Sequence, residues 1–247
     1  MNFLELKDIS ERYMELLNPI SATKIVTIGR FAGLESGHKV IDFGCGFGEV
    51  LALWVEYFGI SGVGIDVREY ACRRASQKMS REGYEDRIKI VCTSGEAYQF
   101  EPRSYDLAAC IGASFIWGGF RPTIHALREA IHPDGKLVIG EPYWTKQVVP
   151  PEYAQREQDV HTECELLQIT RQEGFDIEYM VRANQDEWDN YEASNWYGLI
   201  HWIEENPDHP ERQQVIDHLH ESQEEYFQYG REYLGWAIFV LNPIKYR

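Results

Sequence analysis

Three glycines alternate with other residues just after a short run rich in β-branched side chains. Gly44, Gly46 and Gly48 follow residues 38–43 (HKVIDF), where a strand would pass into a helix. Glycine has no side chain, so the backbone of such a turn can approach a bound molecule closely and present N–H groups towards it. A turn without any ligand can have the same local sequence, so the glycines alone do not establish a binding site.

A carboxylate stands 20 residues after Gly46, where a second strand would end. Asp66 closes residues 62–66 (GVGID), and an acid at this place can accept hydrogen bonds from two ribose hydroxyls. The same aspartate could also cap the helix that follows. The glycine turn and the acid together predict a cofactor that contains a nucleoside.

The third glycine and a second acid distinguish between two classes of cofactor. The dinucleotide-binding pattern is G-x-G-x-x-G, but here Gly48 comes one residue early and Glu49 occupies the place of the last glycine. Asp42 precedes the turn, where it would repel a pyrophosphate and attract a sulfonium or amino group. These features favour S-adenosylmethionine over NAD.

Strand and helix patterns alternate through the first part of the chain. Strand-like runs lie at residues 38–43, 62–66, 88–92, 105–112 and 136–140, with helical periodicity between them, at 49–58, up to about 82, and at 122–131. Such alternation predicts right-handed crossovers and a mostly parallel sheet, which is an α/β fold.

The two ends of the chain depart from this rhythm. Apolar spacing predicts a first helix over residues 9–17, stopped by Asn18-Pro19, and Ser21 can cap a second that ends near residue 31. After a helix at 161–172 and a strand at 175–181, two consecutive helices at 186–205 and 211–229 precede a last strand at 236–241. Such a helical insertion tends to lie over the carboxyl ends of the strands, where ligands bind.

No internal repeat, low-complexity tract or flexible linker divides the chain. We therefore expect residues 1–247 to form a single domain. Its expected parts are the N-terminal helices (1–35), the cofactor-binding half (36–145) and the insertion over the active site (186–230).

Five segments resemble the motifs of class I S-adenosylmethionine-dependent methyltransferases, over nearly the whole chain. They are residues 42–48 (DFGCGFG), 64–66 (GID), 104–110 (SYDLAAC), 131–138 (IHPDGKLV) and 233–239 (YLGWAIF). Within that superfamily the sequence is most similar to bacterial small-molecule enzymes of the quinone and sarcosine type. The resemblance implies a Rossmann-like fold: a mostly parallel seven-stranded sheet with an antiparallel last strand, helices on both faces, and a helical insertion between strands six and seven.

The resemblance also implies roles for individual residues. Those expected around the methionine part, the ribose and the transfer site of the cofactor are Asp42, Gly44, Cys45, Gly46, Asp66 and Cys110. After strand three the family carries an Asp-Ala pair that holds the adenine amino group, whereas this chain has Ser94-Gly95, with Glu96 following. The register places Ser94 where the acid stands, and Glu96 reaches the adenine if the loop is reshaped, so both stay open.

Methyl transfer requires alignment and exclusion of water more than a catalytic side chain. Glu141 follows Gly140, where the buried fifth strand should end, and precedes Pro142-Tyr143-Trp144. Partly apolar surroundings would raise its pKa and suit it to accept a proton, although it could instead cap a turn or pair with an arginine. His201 on the insertion is a second candidate base, but a histidine in such a place more often has a packing or surface role.

The charge is distributed unevenly. The net charge is −16, of which residues 1–150 contribute −2 and residues 151–247 contribute −14. Nucleic-acid binding depends on clustered lysine and arginine, so DNA and RNA are poor partners. The acids could be solvated helix faces or part of a pocket that attracts a cation. Five of the seven tryptophans lie beyond residue 140, and some could surround an aromatic or cationic small-molecule acceptor.

Three functions fit these observations. A small-molecule methyltransferase fits best, ahead of a non-catalytic S-adenosylmethionine-binding regulator or partner subunit. A protein or RNA methyltransferase would need a basic recognition surface, and an NAD-dependent enzyme fits less well. No apolar run approaches about 18 residues, and the five scattered cysteines lack CxxC spacing. We therefore expect a cytoplasmic protein without a metal site; the acceptor atom and oligomeric state stay open.

Overall fold

Eight strands form a single sheet in the computed structural model, which describes residues 1–245. In chain order they are β1 (Lys39–Phe43), β2 (Ser61–Asp66), β3 (Ile88–Cys92), β4 (Tyr105–Ile111), β5 (Ile131–Trp144), β6 (His161–Thr162), β7 (Phe175–Arg182) and β8 (Leu234–Pro243). The long strands lie in the order β3-β2-β1-β4-β5-β8-β7. The last strand, β8, is antiparallel to both β5 and β7, whereas β1 to β5 pair in parallel.

Helices precede, connect and follow these strands. They are α1 (Phe3–Ser10), α2 (Ala22–Phe31), α3 (Glu49–Phe58), α4 (Glu69–Glu82), α5 (Phe120–Arg128), α6 (Pro151–Ala154), α7 (Glu163–Gln172), α8 (Gln185–Glu205), α9 (Arg212–Glu225) and α10 (Arg231–Tyr233). A 3₁₀ turn spans Ser114–Trp117, and a π-helical turn spans Tyr226–Gly230. The Rossmann-like α/β fold predicted from the sequence is confirmed.

Each face of the sheet has its own hydrophobic core. Val40 and Ile41 are neighbours on β1 but belong to different apolar clusters, because successive side chains of a strand point to opposite faces. One cluster includes Trp54 of α3 and the other Ile124 of α5. Both faces are therefore covered by helices, which explains why the central strands have almost no polar side chains.

The two long helices between β7 and β8 pack together with α1, and α8 also contributes Trp188 to one apolar cluster of the sheet. Leu199 and Ile203 of α8 and Leu219 of α9 form a separate apolar cluster with Leu6 of α1. The insertion predicted at this point of the chain is present, and α1 attaches it to the rest of the molecule.

The first helix lies earlier in the chain than predicted, at Phe3–Ser10 and not at residues 9–17. It ends at Ser10, and residues 14–20 form an irregular segment, which we call the N-terminal segment. Arg74 of α4 donates hydrogen bonds to the backbone carbonyls of Arg12 (2.7 Å) and Met14 (3.1 Å). These carbonyls are held by α4 and are not available to continue a helix, so tertiary contacts override the helical spacing.

Two differences concern the sheet. β5 does not end at Gly140 but continues to Trp144, because β8 pairs with it along its whole second half. The extension then pairs with β6, where Tyr143 faces His161; this eighth, two-residue strand was not predicted.

Three further observations concern partners and compartment. No helix within residues 1–245 is long and apolar enough to cross a membrane. All five cysteines are free thiols. Within the same residues no group of three or more His, Cys, Asp or Glu side chains could hold a metal ion.

Candidate functional site

The glycine turn after β1 adopts a backbone conformation that other residues rarely adopt. Gly44 has φ of 74° and Gly46 of 54°, both in the left-handed region. The amides of Gly44 and Cys45 donate to the carbonyl of Ile65 at 2.8 and 3.0 Å, and the Gly46 amide donates to Asp66 at 2.9 Å. The expectation that these amides point towards a ligand is therefore wrong. The glycines allow close backbone approach, and the amides hold the turn against β2.

Asp66 connects the glycine turn to α4. Its side chain is 8% exposed, and it accepts hydrogen bonds from the amides of Gly46 and Arg68, each at 2.9 Å. Arg68, not Asp66, is the N-cap residue of α4. The Arg68 guanidinium in turn reaches Glu11 at 2.7 Å and Asp8 at 3.3 Å, so one ion-pair network joins the end of β2 to the N-terminal region.

Two carboxylates are buried without a compensating charge. Asp42 is 2% and Glu141 7% exposed, and Oδ1 of the first and Oε1 of the second have no hydrogen-bond partner within residues 1–245. Burial, assisted by the charge of Asp66, raises the pKa of Asp42 to about 8. Burial also raises the pKa of Glu141 to about 8, against a smaller lowering by Ser114. Each carboxylate would be stabilised by a positively charged ligand atom.

These groups border one cavity of about 780 Å³ at the carboxyl ends of the strands. The cavity is lined by the glycine turn and by residues of α1 and the N-terminal segment. Trp188, Tyr191 and Glu225 of the insertion region also line it. Ten acidic side chains and three basic ones border it. The cavity therefore favours cations.

Most of the residues predicted from the sequence are brought together here. Those that line the cavity are Asp42, Gly44, Cys45, Gly46, Asp66, Ser94, Gly95, Glu96 and Glu141. Glu141 lies within β5, opposite Ala237 of β8, and not at a strand end as predicted. It reaches the cavity because β4, its neighbour on the other side, ends at Ile111.

Two predicted residues are not at the site. Cys110 is fully buried in the apolar core among residues that include Ile41 and Ile139, while the next residue, Ile111, lines the cavity. The strand alternation decides this, because neighbouring side chains of β4 point in opposite directions. His201 lies outside the cavity lining. Its ring centroid lies 3.9 Å from that of Tyr197 with the rings tilted by 37°, and its Nδ1 lies 2.9 Å from the Tyr197 carbonyl oxygen.

The N-terminal segment is part of the site, although the sequence did not predict this. A side chain at Gly46 would lie 2.7 Å from Leu17 Cδ1, and one at Gly112, which follows β4, would collide with Asn18. Both residues of the segment line the cavity. Lys78 further ties the segment to α3 through ion pairs with Glu15 and Glu49. Asn18-Pro19 was a signal of this irregular structure, but it was interpreted only as the end of a helix.

Comparison with known proteins identifies the class. Residues 40–135 match the family described as "Methyltransferase domain". The chain is 32% identical to the uncharacterized protein YjhP of Escherichia coli, over 98% of this chain and 99% of that protein. The chain belongs to the class I S-adenosylmethionine-dependent methyltransferases.

Solved structures give the cofactor. The chain resembles a methyltransferase from Thiobacillus denitrificans bound to S-adenosylhomocysteine (TM-score 0.91, 33% identity, 98% of this chain and 100% of that chain). It also resembles one from Geobacter sulfurreducens bound to the same molecule (TM-score 0.90, 36% identity, 97% and 98%). The cofactor is S-adenosylmethionine, and the protein is a methyltransferase. The closer likeness to quinone and sarcosine enzymes is not supported beyond the shared fold.

The adenine contact can be tested directly. We expect Ser94→Ala to weaken S-adenosylhomocysteine binding by roughly 2- to 12-fold, the contribution of one hydrogen bond between uncharged groups, and more than Glu96→Ala does. Isothermal titration calorimetry measures both, with exposed Glu101→Ala, outside the cavity lining, as the control. A larger loss for Glu96→Ala would mean that the loop after β3 is reshaped around the cofactor and that Glu96 holds the adenine.

Proposed function

We propose that this protein transfers a methyl group from S-adenosylmethionine to a small molecule bound in the same cavity. The observation that carries this proposal is the size and lining of the cavity. Its volume of about 780 Å³ lies within the range of roughly 300–1,000 Å³ that is typical of small-molecule sites. Residues from three separate parts of the chain line it.

The residues of the cavity fit the cofactor by charge. The unpartnered carboxylate of Asp42 suits the amino group of the methionine part, and Asp66 suits the ribose hydroxyls. The cofactor supplies a methyl group already activated by a positively charged sulfur. The chain needs to hold donor and acceptor in line, and such alignment contributes about 7–11 kcal/mol.

Glu141 is the candidate proton acceptor for this reaction. Its buried carboxylate has no cation beside it within the described residues, and burial raises its pKa to about 8. A general base works best when its pKa lies near the working pH, because its unprotonated form is then populated and still binds a proton strongly enough. His201 is not retained as a candidate, because it lies outside the cavity.

Other relatives support a small-molecule acceptor. A sterol 24-C-methyltransferase of Gibberella zeae is 28% identical over 44% of this chain, and an erythromycin 3''-O-methyltransferase of Saccharopolyspora erythraea is 26% identical over 44%. A nucleic-acid substrate is disfavoured, because the charged side chains of the cavity lining are mainly acidic. The free cysteines support a cytoplasmic location.

The first test is cofactor selectivity. At concentrations near 100 times their dissociation constants, S-adenosylmethionine and S-adenosylhomocysteine should stabilise the protein by about 2.7 kcal/mol, or roughly 5–10 °C in melting temperature. NAD and NADP should leave it unchanged, because the glycine turn departs from the dinucleotide pattern and acids outnumber bases in the cavity lining, which disfavours a pyrophosphate. Thermal denaturation with each ligand measures this. Stabilisation by NAD without any response to S-adenosylmethionine would contradict the assignment.

The second test concerns the acceptor. Methyl-labelled S-adenosylmethionine is incubated with the protein and a cell extract, and label is measured separately in small molecules, protein and RNA. We expect label in the small-molecule fraction, suppressed by excess S-adenosylhomocysteine. Label confined to protein or RNA would contradict the proposal, and no transfer to any fraction would favour a non-catalytic binding protein.

A further inference from the structure

The cavity contains a buried carboxylate that the cofactor's charges do not account for. Asp42 and Asp66 border the glycine turn, whereas Glu141 extends from β5. The groups that influence the Glu141 charge are the Ser114 hydroxyl and the carboxylate of Asp159, both in the cavity lining. Neither is a cation, so no described residue compensates the charge that Glu141 carries when it is ionised.

Basic residues of the cavity do not supply a positive partner for Glu141. Lys7 lies 3.6 Å from Glu11 and over the ring of Tyr191. Arg68 is bound to Glu11 and to Asp8. Each of these two bases is therefore already paired with an acid of the N-terminal region.

The third base, Arg156, is exposed. Its positive charge lowers the pKa values of Glu157 and Glu225, both of which burial raises. These two acids also line the cavity. Around Arg156 the acidic side chains therefore also outnumber the basic ones, and an anionic acceptor would be repelled there.

We infer that the methyl acceptor is a protonated amine whose ammonium group binds between Glu141 and Asp159; this inference rests on the proposed function. An ammonium group donates hydrogen bonds to the free Glu141 oxygen and compensates the buried charge. An alcohol would leave the charge uncompensated, and a carboxylate or phosphate would add a like charge. The tryptophans of the lining, Trp188 and Trp236, suit a cation as well.

Glu141 can accept the proton that the ammonium group must lose before methyl transfer. The ammonium group first transfers one proton to the Glu141 carboxylate, which leaves a neutral amine and a neutral carboxylic acid. The amine nitrogen then uses its lone pair to form the new N–C bond as the C–S bond breaks, and the bonding electrons remain on sulfur. The methylated product leaves as an ammonium ion, and Glu141 releases its proton to solvent.

Binding of matched probes tests the inference. N-methylbenzylammonium, the neutral benzyl methyl ether and the anion phenylacetate are titrated calorimetrically into the protein saturated with S-adenosylhomocysteine. We expect the ammonium probe to bind roughly 10-fold or more tightly than the ether, as a charge-assisted hydrogen bond implies, and phenylacetate to bind most weakly. An ammonium probe that binds no more tightly than the ether would overturn the inference.

Variants identify the group responsible. Glu141→Gln should abolish the advantage of the ammonium probe, Asp159→Asn should reduce it, and exposed Glu129→Gln, outside the lining, should leave it intact. Equal affinity for S-adenosylhomocysteine in all variants shows that each is folded, and Asp159 is exposed, so its variant does not disturb the core. An ammonium preference that survives in Glu141→Gln would also overturn the inference. Failure of S-adenosylhomocysteine to bind the parent protein would instead contradict the proposed function.

Discussion

Glu141→Gln should lower the rate of methyl transfer by roughly 10²–10⁴-fold at unchanged affinity for S-adenosylhomocysteine, as expected when a general base is removed. Glutamine keeps the shape of the side chain and removes its proton affinity. The buried position favours a clean comparison, because the parent carboxylate accepts no hydrogen bond at Oε1 from any described residue. The rate is measured with labelled cofactor once an acceptor is known, with Glu129→Gln as the matched control.

The pH dependence provides an independent check. The pKa of Glu141 is raised from its ordinary value of 4.5 to about 8, so the carboxylate form needed by a base increases as pH approaches and passes 8. The value of kcat/KM should rise along this limb, and the limb should be lost in Glu141→Gln. A variant whose rate stays within about threefold of the parent, less than 1 kcal/mol, would leave Glu141 a structural residue.

The free energy of unfolding should fall as pH rises, whereas kcat/KM should rise. Because folding favours the protonated form of Glu141, its contribution is fully present below pH 4.5 and is lost as pH rises through about 8. Glu141→Gln lacks this loss. The free energy of unfolding of the variant, relative to the parent, should therefore increase between these pH values, while Asp42 acts alike in both proteins.

Asp66→Ala should weaken binding of S-adenosylmethionine by about 2–4 kcal/mol, roughly 30- to 1,000-fold, if two ribose hydrogen bonds are lost. The structure adds a second cause, because the same carboxylate holds the Gly46 amide at 2.9 Å and the Arg68 amide at 2.9 Å. The glycine turn should therefore loosen in this variant.

A matched variant separates these two causes. Asp66→Asn keeps an oxygen for the Gly46 amide but loses the charge and the second oxygen, which accepts from the Arg68 amide, so it should loosen the turn less than Asp66→Ala does and still lose affinity. Calorimetry gives the affinities, and hydrogen exchange at the Gly46 amide reports on the loop. Affinities within about threefold of the parent for both variants, less than 1 kcal/mol, would restrict Asp66 to a structural role.

Many structural features of this protein can be predicted from its local sequence. The alternation of short apolar runs with helical periodicity determines the order of β1 to β5, because each strand must be apolar on both faces when helices cover the sheet. Gly44, Gly46 and Asp66 were also predicted from local sequence. A tight turn at the end of a strand requires glycine, and a polar residue at the end of the next strand lies at the same edge of the sheet. These signals act over a few residues, so no knowledge of the fold is needed to find them.

The tertiary structure decided the features that depend on distant partners. The helical spacing of Tyr13 and Leu17 gives way because Arg74 binds the backbone nearby. Cys110 was misplaced because a motif fixes the strand but not which of two adjacent side chains faces the cavity. His201 was excluded because its ring packs against Tyr13 of the N-terminal region and against Tyr197 of its own helix, away from the cavity lining.

At Glu141, local sequence determined some properties and the tertiary structure determined others. Its type and its place after an apolar run suggested a carboxylate near the site, and the sequence alone supplied that much. Its burial, its missing partner and its raised pKa arise because β8 extends β5 on one side while β4 stops short on the other. The desolvation of a charge depends on everything packed around it, and only the folded chain brings those groups together.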